Sequence, residues 1–172
     1  MILLCYDGSA DSQAAIDRAA RLMPGSEATV LVIWEGILDM MTRNGSLGMG
    51  LGLAGASGDE AEVDAATEKV AFDNAKEGAQ RATDAGLVAQ PRIARRHGAI
   101  AAAILTVAAE VDADVVVLGT RGLGGVKSLM LGSVSHAVLH HADRAVLVVP
   151  SSDVVKQRRG WARQADSTAG VT

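Results

Sequence analysis

The sequence predicts an α/β fold built on a parallel sheet, and three observations carry that prediction. Short apolar runs rich in β-branched residues, at 2–6, 29–34, 114–118 and 145–149, lack polar alternation and so read as strands buried on both faces. Between them lie stretches whose apolar residues recur at helical spacing. The third observation is the turn from Gly119 to Ser133, G-T-R-G-L-G-G-V-K-S-L-M-L-G-S, which joins one such strand to a helical pattern. A glycine-rich strand-to-helix turn can hold an anion, because glycines let backbone N–H groups approach phosphate oxygens and a helix start adds donors and positive dipole.

Ile2 to Tyr6 is the first strand, and Asp7-Gly8-Ser9 the turn out of it. Ser9 is placed to cap a helix whose apolar residues Ile16, Ala19, Ala20 and Met23 share a face, and Pro24-Gly25 stops it. Thr29 to Trp34 is the second strand; two unbroken apolar strands joined by a helix make a parallel pair with a right-handed crossover. In 36–58, Gly36, Gly45, Gly48, Gly50, Gly52, Gly55 and Gly58 interrupt any periodicity, while Met40, Met41 and Met49 add apolar character. This stretch reads as a long mobile loop, either an insertion without a task or an apolar flap over a ligand or partner.

From Asp59 the chain is helical and Ala-rich, with Phe72, Ala75, Ala79 and Ala82 along one face, ending near Gly86. Ala89 to Arg96 is the third strand, and Pro91 puts it at a sheet edge. The basic run Arg92, Arg95, Arg96 and His97 reads as charge protecting that edge rather than as a phosphate site. Gly98-Ala99 opens a helix with Ile100, Ile104, Val107 and Val111 on its buried stripe. Asp114 to Leu118 is the fourth strand, after which the glycine turn leads into a helix from Ser133, its expected cap, to about His141. His136 and His140 are four apart, but no third ligand is near in sequence, so zinc is not expected. Ala145 to Val149 is the fifth strand, and Ser151 to Thr172 a polar tail expected to fray. Five strands with four intervening helical segments make an α/β sandwich.

Composition narrows the function. A chain of 172 residues with 49% hydrophobic residues builds one domain with a substantial core. A net charge of −4 gives no electrostatic reason to bind nucleic acid or an anionic membrane, and 2% aromatic residues leave few base-stacking platforms. The single Cys5 excludes an internal disulfide and reads as a small packed strand residue. With neither a leader pattern nor a membrane-length apolar run, a cytoplasmic protein is expected.

Two better-known phosphate loops fail at the glycine turn. The Walker A pattern is broken because Gly125 stands where lysine is needed, and the dinucleotide pattern G-x-G-x-x-G is absent there. What stands is Gly119-x2-Gly122-x9-Gly132-Ser133, which resembles the G-2x-G-9x-G-[ST] signature of the ATP-binding branch of the universal stress protein family. The strand ending Asp7-Gly8-Ser9 and the last strand, Ala145 to Pro150, are similar to that family's first and last strands. The resemblance covers residues 1–150, leaving 151–172 as a tail. Two departures stand out: the helix at Gly98 starts without the family's usual proline, and Arg144-Ala145 replaces a frequent Cys-Pro.

The resemblance implies a three-layer sandwich with one five-stranded parallel sheet in the order 3-2-1-4-5, Rossmann-like and of the adenine nucleotide alpha hydrolase type. The first and fourth strands then adjoin, so Asp7 and the Gly119 turn face one crevice. Asp7 by itself has two readings, a carboxylate ordering its own Asp-Gly turn and one that accepts from a nucleoside; the resemblance favours the second. It also implies Trp34 at the adenine, Leu118 and Gly119 backbone near the ribose, and Gly122, Gly132, Ser133 and Val134 around the phosphates. Arg121 and Lys127 can neutralise phosphate charge, and Mg²⁺ is expected to bridge the phosphates of ATP. Family members dimerise through the last strand, so a homodimer through Ala145–Val149 is expected.

An ATP-binding regulatory module of the stress response is the reading that follows. The first alternative is a slow ATP or adenylyl hydrolase, for which no triad or carboxylate pair stands out as a water activator. The second is a dimeric interaction protein that binds no nucleotide, against which the intact Gly119, Gly122, Gly132 and Ser133 argue. No catalytic residue is assigned, and any ATPase activity is expected to be weak.

Overall fold

The computed structural model describes residues 1–43, 60–122, 131–156 and 159. Five parallel strands, β1 (Ile2–Cys5), β2 (Glu27–Trp34), β3 (Val88–Arg95), β4 (Val115–Gly119) and β5 (Ala145–Val149), form one sheet in the order β3-β2-β1-β4-β5. The helices are α1 (Ala10–Leu22), α2 (Ile37–Arg43), α3 (Glu60–Asp84), α4 (Ile100–Glu110) and α5 (Ser133–His141). Fold class and strand order agree with expectation.

Alternation along each strand decides which helices cover which face. Leu4, Val30 and Val117 pack with Ala15, Ile16 and Ala19 of α1 and with Ala75, Ala79 and Ala82 of α3. Leu3, Leu31, Val116 and Leu118 pack on the other face with Ile104 and Val107 of α4 and Val138 of α5. Three layers result. The small residues of α3 bring it close to the sheet: a Cβ on Gly78 would stand 2.8 Å from the Tyr6 ring and 2.9 Å from Val30.

Several local expectations change. Ala71, not Phe72, lies on the buried stripe of α3 with Ala75, Ala79 and Ala82; Phe72 is exposed, with the Lys76 ammonium 5.2 Å from its ring centroid. Within the expected loop at 36–58, residues 37–43 form α2, whose first N–H, of Ile37, donates to Asp64 Oδ1 at 2.8 Å. The rest of that stretch lies outside the described residues. Ser9 caps α1 as expected, accepting from Ser12 N, but the N-cap of α5 is Gly132 rather than Ser133, with no side-chain cap bond. The reason is tertiary: the Gly132 N–H donates to Thr120 O at 2.8 Å, holding Gly132 extended just before the helix. At the expected tail, 152–156 are helical and Val154 is buried, since an apolar residue on that turn reaches the domain.

β3 is an edge strand, as Pro91 implied, and its basic run is paired with carboxylates. Arg92 bonds Glu110, Arg96 lies 3.7 Å from Glu35, and Arg95 reaches Asp39 at 3.4 Å and Asp64 at 3.1 Å. Among the described residues no helix is long and apolar enough to cross a membrane. β1 has β2 on one side and β4 on the other. The chain therefore leaves β1 and β4 in opposite directions across the sheet, which opens a crevice at their carboxyl ends.

Candidate nucleotide site

A cavity of about 900 Å³ occupies that crevice, within the size range of small-molecule sites. Asp7, Trp34, Leu118, Gly119, Arg121, Gly122, Gly132, Ser133 and Val134 all line it, so the structure brings together every residue singled out in the sequence except Lys127, which lies outside the described residues. His136 and His140 stack on the outer side of α5 with ring centroids 6.3 Å apart, and among the described residues no trio of His, Cys, Asp or Glu could hold a metal.

Asp7 orders its own turn and also lines the cavity. Its Oδ1 accepts the Ser9 N–H at 3.0 Å, ordering a turn that also uses the positive φ of Gly8. Its Oδ2 faces Gly122, where a Cβ would stand 2.5 Å away. Asp7 and the glycine turn thus meet at the cavity wall, where a side chain on residue 122 would press on the Asp7 carboxylate.

The start of α5 borders the same cavity. Gly132 brings no side chain to cap it, and Ser133 is exposed on the cavity wall. The first-turn N–H groups and the Ser133 hydroxyl are the donors a phosphate needs, with the helix dipole added.

Residues missed in the sequence hold this geometry in place. Asp11, buried in the first turn of α1, accepts from the Thr120 hydroxyl and, at 3.1 Å, from the Arg121 N–H. Ser135 Oγ donates to Gly119 O at 2.7 Å, and Thr120 N donates to Val149 O at 3.0 Å. The turn after β4 is therefore tied to α1, α5 and β5. Two polar residues beside the cap Ser9 and a threonine inside the glycine turn were the available signals, but nothing local says that they meet. Thr67 and Asn74 of α3 also line the cavity, and no sequence pattern pointed to that helix.

Cys5 lines the cavity from β1. Burial, with a further contribution from the Asp7 charge, pushes its thiol from the ordinary 9.0 up to about 12. The folded protein then keeps a proton that the unfolded chain releases from about pH 9 upward, so stability is lost as pH rises from about 9 to about 12. Alkylation at pH 9 is expected to be far slower for native protein than in denaturant, and Cys5→Ala to remove this part of the alkaline slope. Equal alkylation rates would contradict the protonated thiol.

The family model described as universal stress protein family matches residues 1–150. The chain is 32% identical over 149 residues to universal stress protein YxiE of Bacillus subtilis (strain 168), covering 86% of this chain and 97% of that relative. Among solved structures, the hypothetical protein MJ0577 superposes with a TM-score of 0.67 at 19% identity, covering 88% of this chain and 95% of that one. A universal stress protein in complex with cAMP superposes with a TM-score of 0.57 at 24% identity, covering 88% and 97%.

Proposed function

The chain belongs to the universal stress protein family, and from that premise we propose that it is a regulatory module that binds an adenine nucleotide, ATP with Mg²⁺, in the crevice between β1 and β4. The carrying observation is the convergence of Asp7, Trp34, the glycine turn and the uncapped start of α5 on one cavity of about 900 Å³. A relative of the same fold solved in complex with cAMP supports the choice of an adenine nucleotide.

In this reading Asp7 and Trp34 hold the nucleoside, and the backbone of Leu118 and Gly119 lies along the ribose. Gly122, Gly132, Ser133 and Val134 surround the phosphates, with Arg121 adding positive charge. Mg²⁺ enters with the phosphates, which supply its oxygen ligands and which it neutralises in part. Residues 1–150 are the binding module and 151–172 an appendage to it. Two copies pair through β5, an edge strand whose Val146, Leu147 and Val148 are half-buried.

The test is mass spectrometry of what freshly purified protein releases on denaturation, followed by ATP titration with and without Mg²⁺. Released adenine nucleotide, or saturable ATP binding strengthened by Mg²⁺, is the expected result. Neither ligand nor binding would leave a nucleotide-free interaction protein. Sedimentation at micromolar concentration checks the pairing, and a monomer there would remove it.

A further inference from the structure

At the end of β3 the Arg95 side chain touches β2, α2 and α3, through Trp34, Asp39 and Asp64. Arg95 is the register partner of Trp34 in the β2·β3 ladder, so the two side chains emerge on the same face of the sheet. The guanidinium lies over the indole, 5.2 Å from the ring centroid. That is the distance and ring type at which a cation is held by an aromatic face.

The same guanidinium is also paired with two carboxylates. Its Nη1 lies 3.1 Å from Asp64 Oδ2 and its Nη2 3.4 Å from Asp39 Oδ2. Asp64 spends its other oxygen on the first N–H of α2, and Asp39 sits on α2 itself. A Cβ on Gly36 would run into the Arg95 guanidinium and the Asp64 carboxylate, so a side chain there would displace this pair. Beside it the Arg96 N–H donates to Trp34 O at 2.8 Å, and the Arg96 side chain pairs with Glu35 at 3.7 Å, both largely shielded. Trp34 and Glu35 line the cavity; Arg95, Asp39 and Asp64 do not.

We propose that Arg95 is a positioning residue for the nucleoside end of the site: it clamps one side of the Trp34 indole and ties it to α2 and α3. The inference rests on the nucleotide reading given above. A planar cation fixed by two carboxylates holds an indole better than a mobile ammonium does, so arginine at 95 is not interchangeable with lysine. The clamp acts on the nucleoside and leaves the phosphate donors around Gly122 and Gly132 untouched.

The experiment separates the two ends of the ligand. In a Trp161→Phe background, so that Trp34 is the one fluorophore of its kind, binding of ATP, adenosine and inorganic triphosphate is titrated for the parent, Arg95→Gln and Arg95→Lys. Arg95→Gln is expected to weaken ATP and adenosine by the same factor, about threefold to tenfold for loss of one partly desolvated cation–π contact, and to leave triphosphate unchanged. Arg95→Lys falls between, and acrylamide quenching of Trp34 in the ligand-free protein rises in the order parent, Lys, Gln. Unchanged adenosine affinity, or an equal loss for triphosphate, overturns the clamp while the parent's ATP binding keeps the nucleotide reading intact. Absence of ATP binding in the parent overturns both.

Discussion

Gly122→Val is expected to weaken ATP binding on the order of a hundredfold, the loss of one or two charge-assisted hydrogen bonds to phosphate, while the fold survives. A Cβ at 122 meets Asp7 Oδ2 at 2.5 Å, and valine adds two methyl groups beyond it at the cavity wall. Asp7 is not free to swing away without cost, since its Oδ1 orders the turn through Ser9 N. Gly122 is exposed and its φ lies outside the left-handed region, so the backbone accepts a side chain and the damage stays in the cavity. Calorimetric titration of wild type and variant, with circular dichroism as the check on folding, measures this. A folded variant that binds ATP like wild type would remove the glycine turn from the site.

At Gly119 the same kind of substitution acts on stability instead. Gly119→Ala is expected to lower the unfolding free energy by about 1–3 kcal/mol, the usual penalty for an added group in a packed interior, and the melting temperature by roughly 2–4 °C for each kcal/mol. The added Cβ would stand 2.7 Å from Asp11 Cβ, 2.8 Å from the Asp11 carbonyl carbon and 3.0 Å from Ser12 N. These are main-chain and near-main-chain atoms of α1, which cannot turn aside as a side-chain tip can. Relief requires α1 to move off β4, and that movement disturbs Asp11, which holds Thr120 and Arg121. Thermal unfolding measures the effect, and a melting temperature within a degree of wild type would show that α1 yields freely. The two results together would separate two functions of one turn, room for a ligand at Gly122 and room for a helix at Gly119.

Much of this was legible in the chain. Unbroken runs such as Val115-Val116-Val117-Leu118 read as buried parallel strands because such strands have no face that needs polar residues. The capping Ser9, the edge position of Pro91 and the glycine spacing after β4 were local signals with local causes. Boundaries moved where pairing decided them: β2 begins at Glu27 rather than Thr29 because the ladder with β3 starts at Glu27↔Val88. The α2 helix was hidden in a glycine-interrupted stretch, and its attachment depends on Asp64, a residue of another helix.

By itself the sequence determined the succession of strands and helices, because each follows from a periodicity read within a few positions, and three short motifs carried the resemblance that implied the family and the residues expected at the crevice. Only the tertiary structure decided that Asp11 reaches Thr120, 109 positions away, that Gly132 rather than Ser133 precedes α5, and that Arg95 covers Trp34 from a neighbouring strand. The reason is the same for all three: a hydrogen bond or ring contact depends on distance in space, and chain topology alone brings such residues within reach.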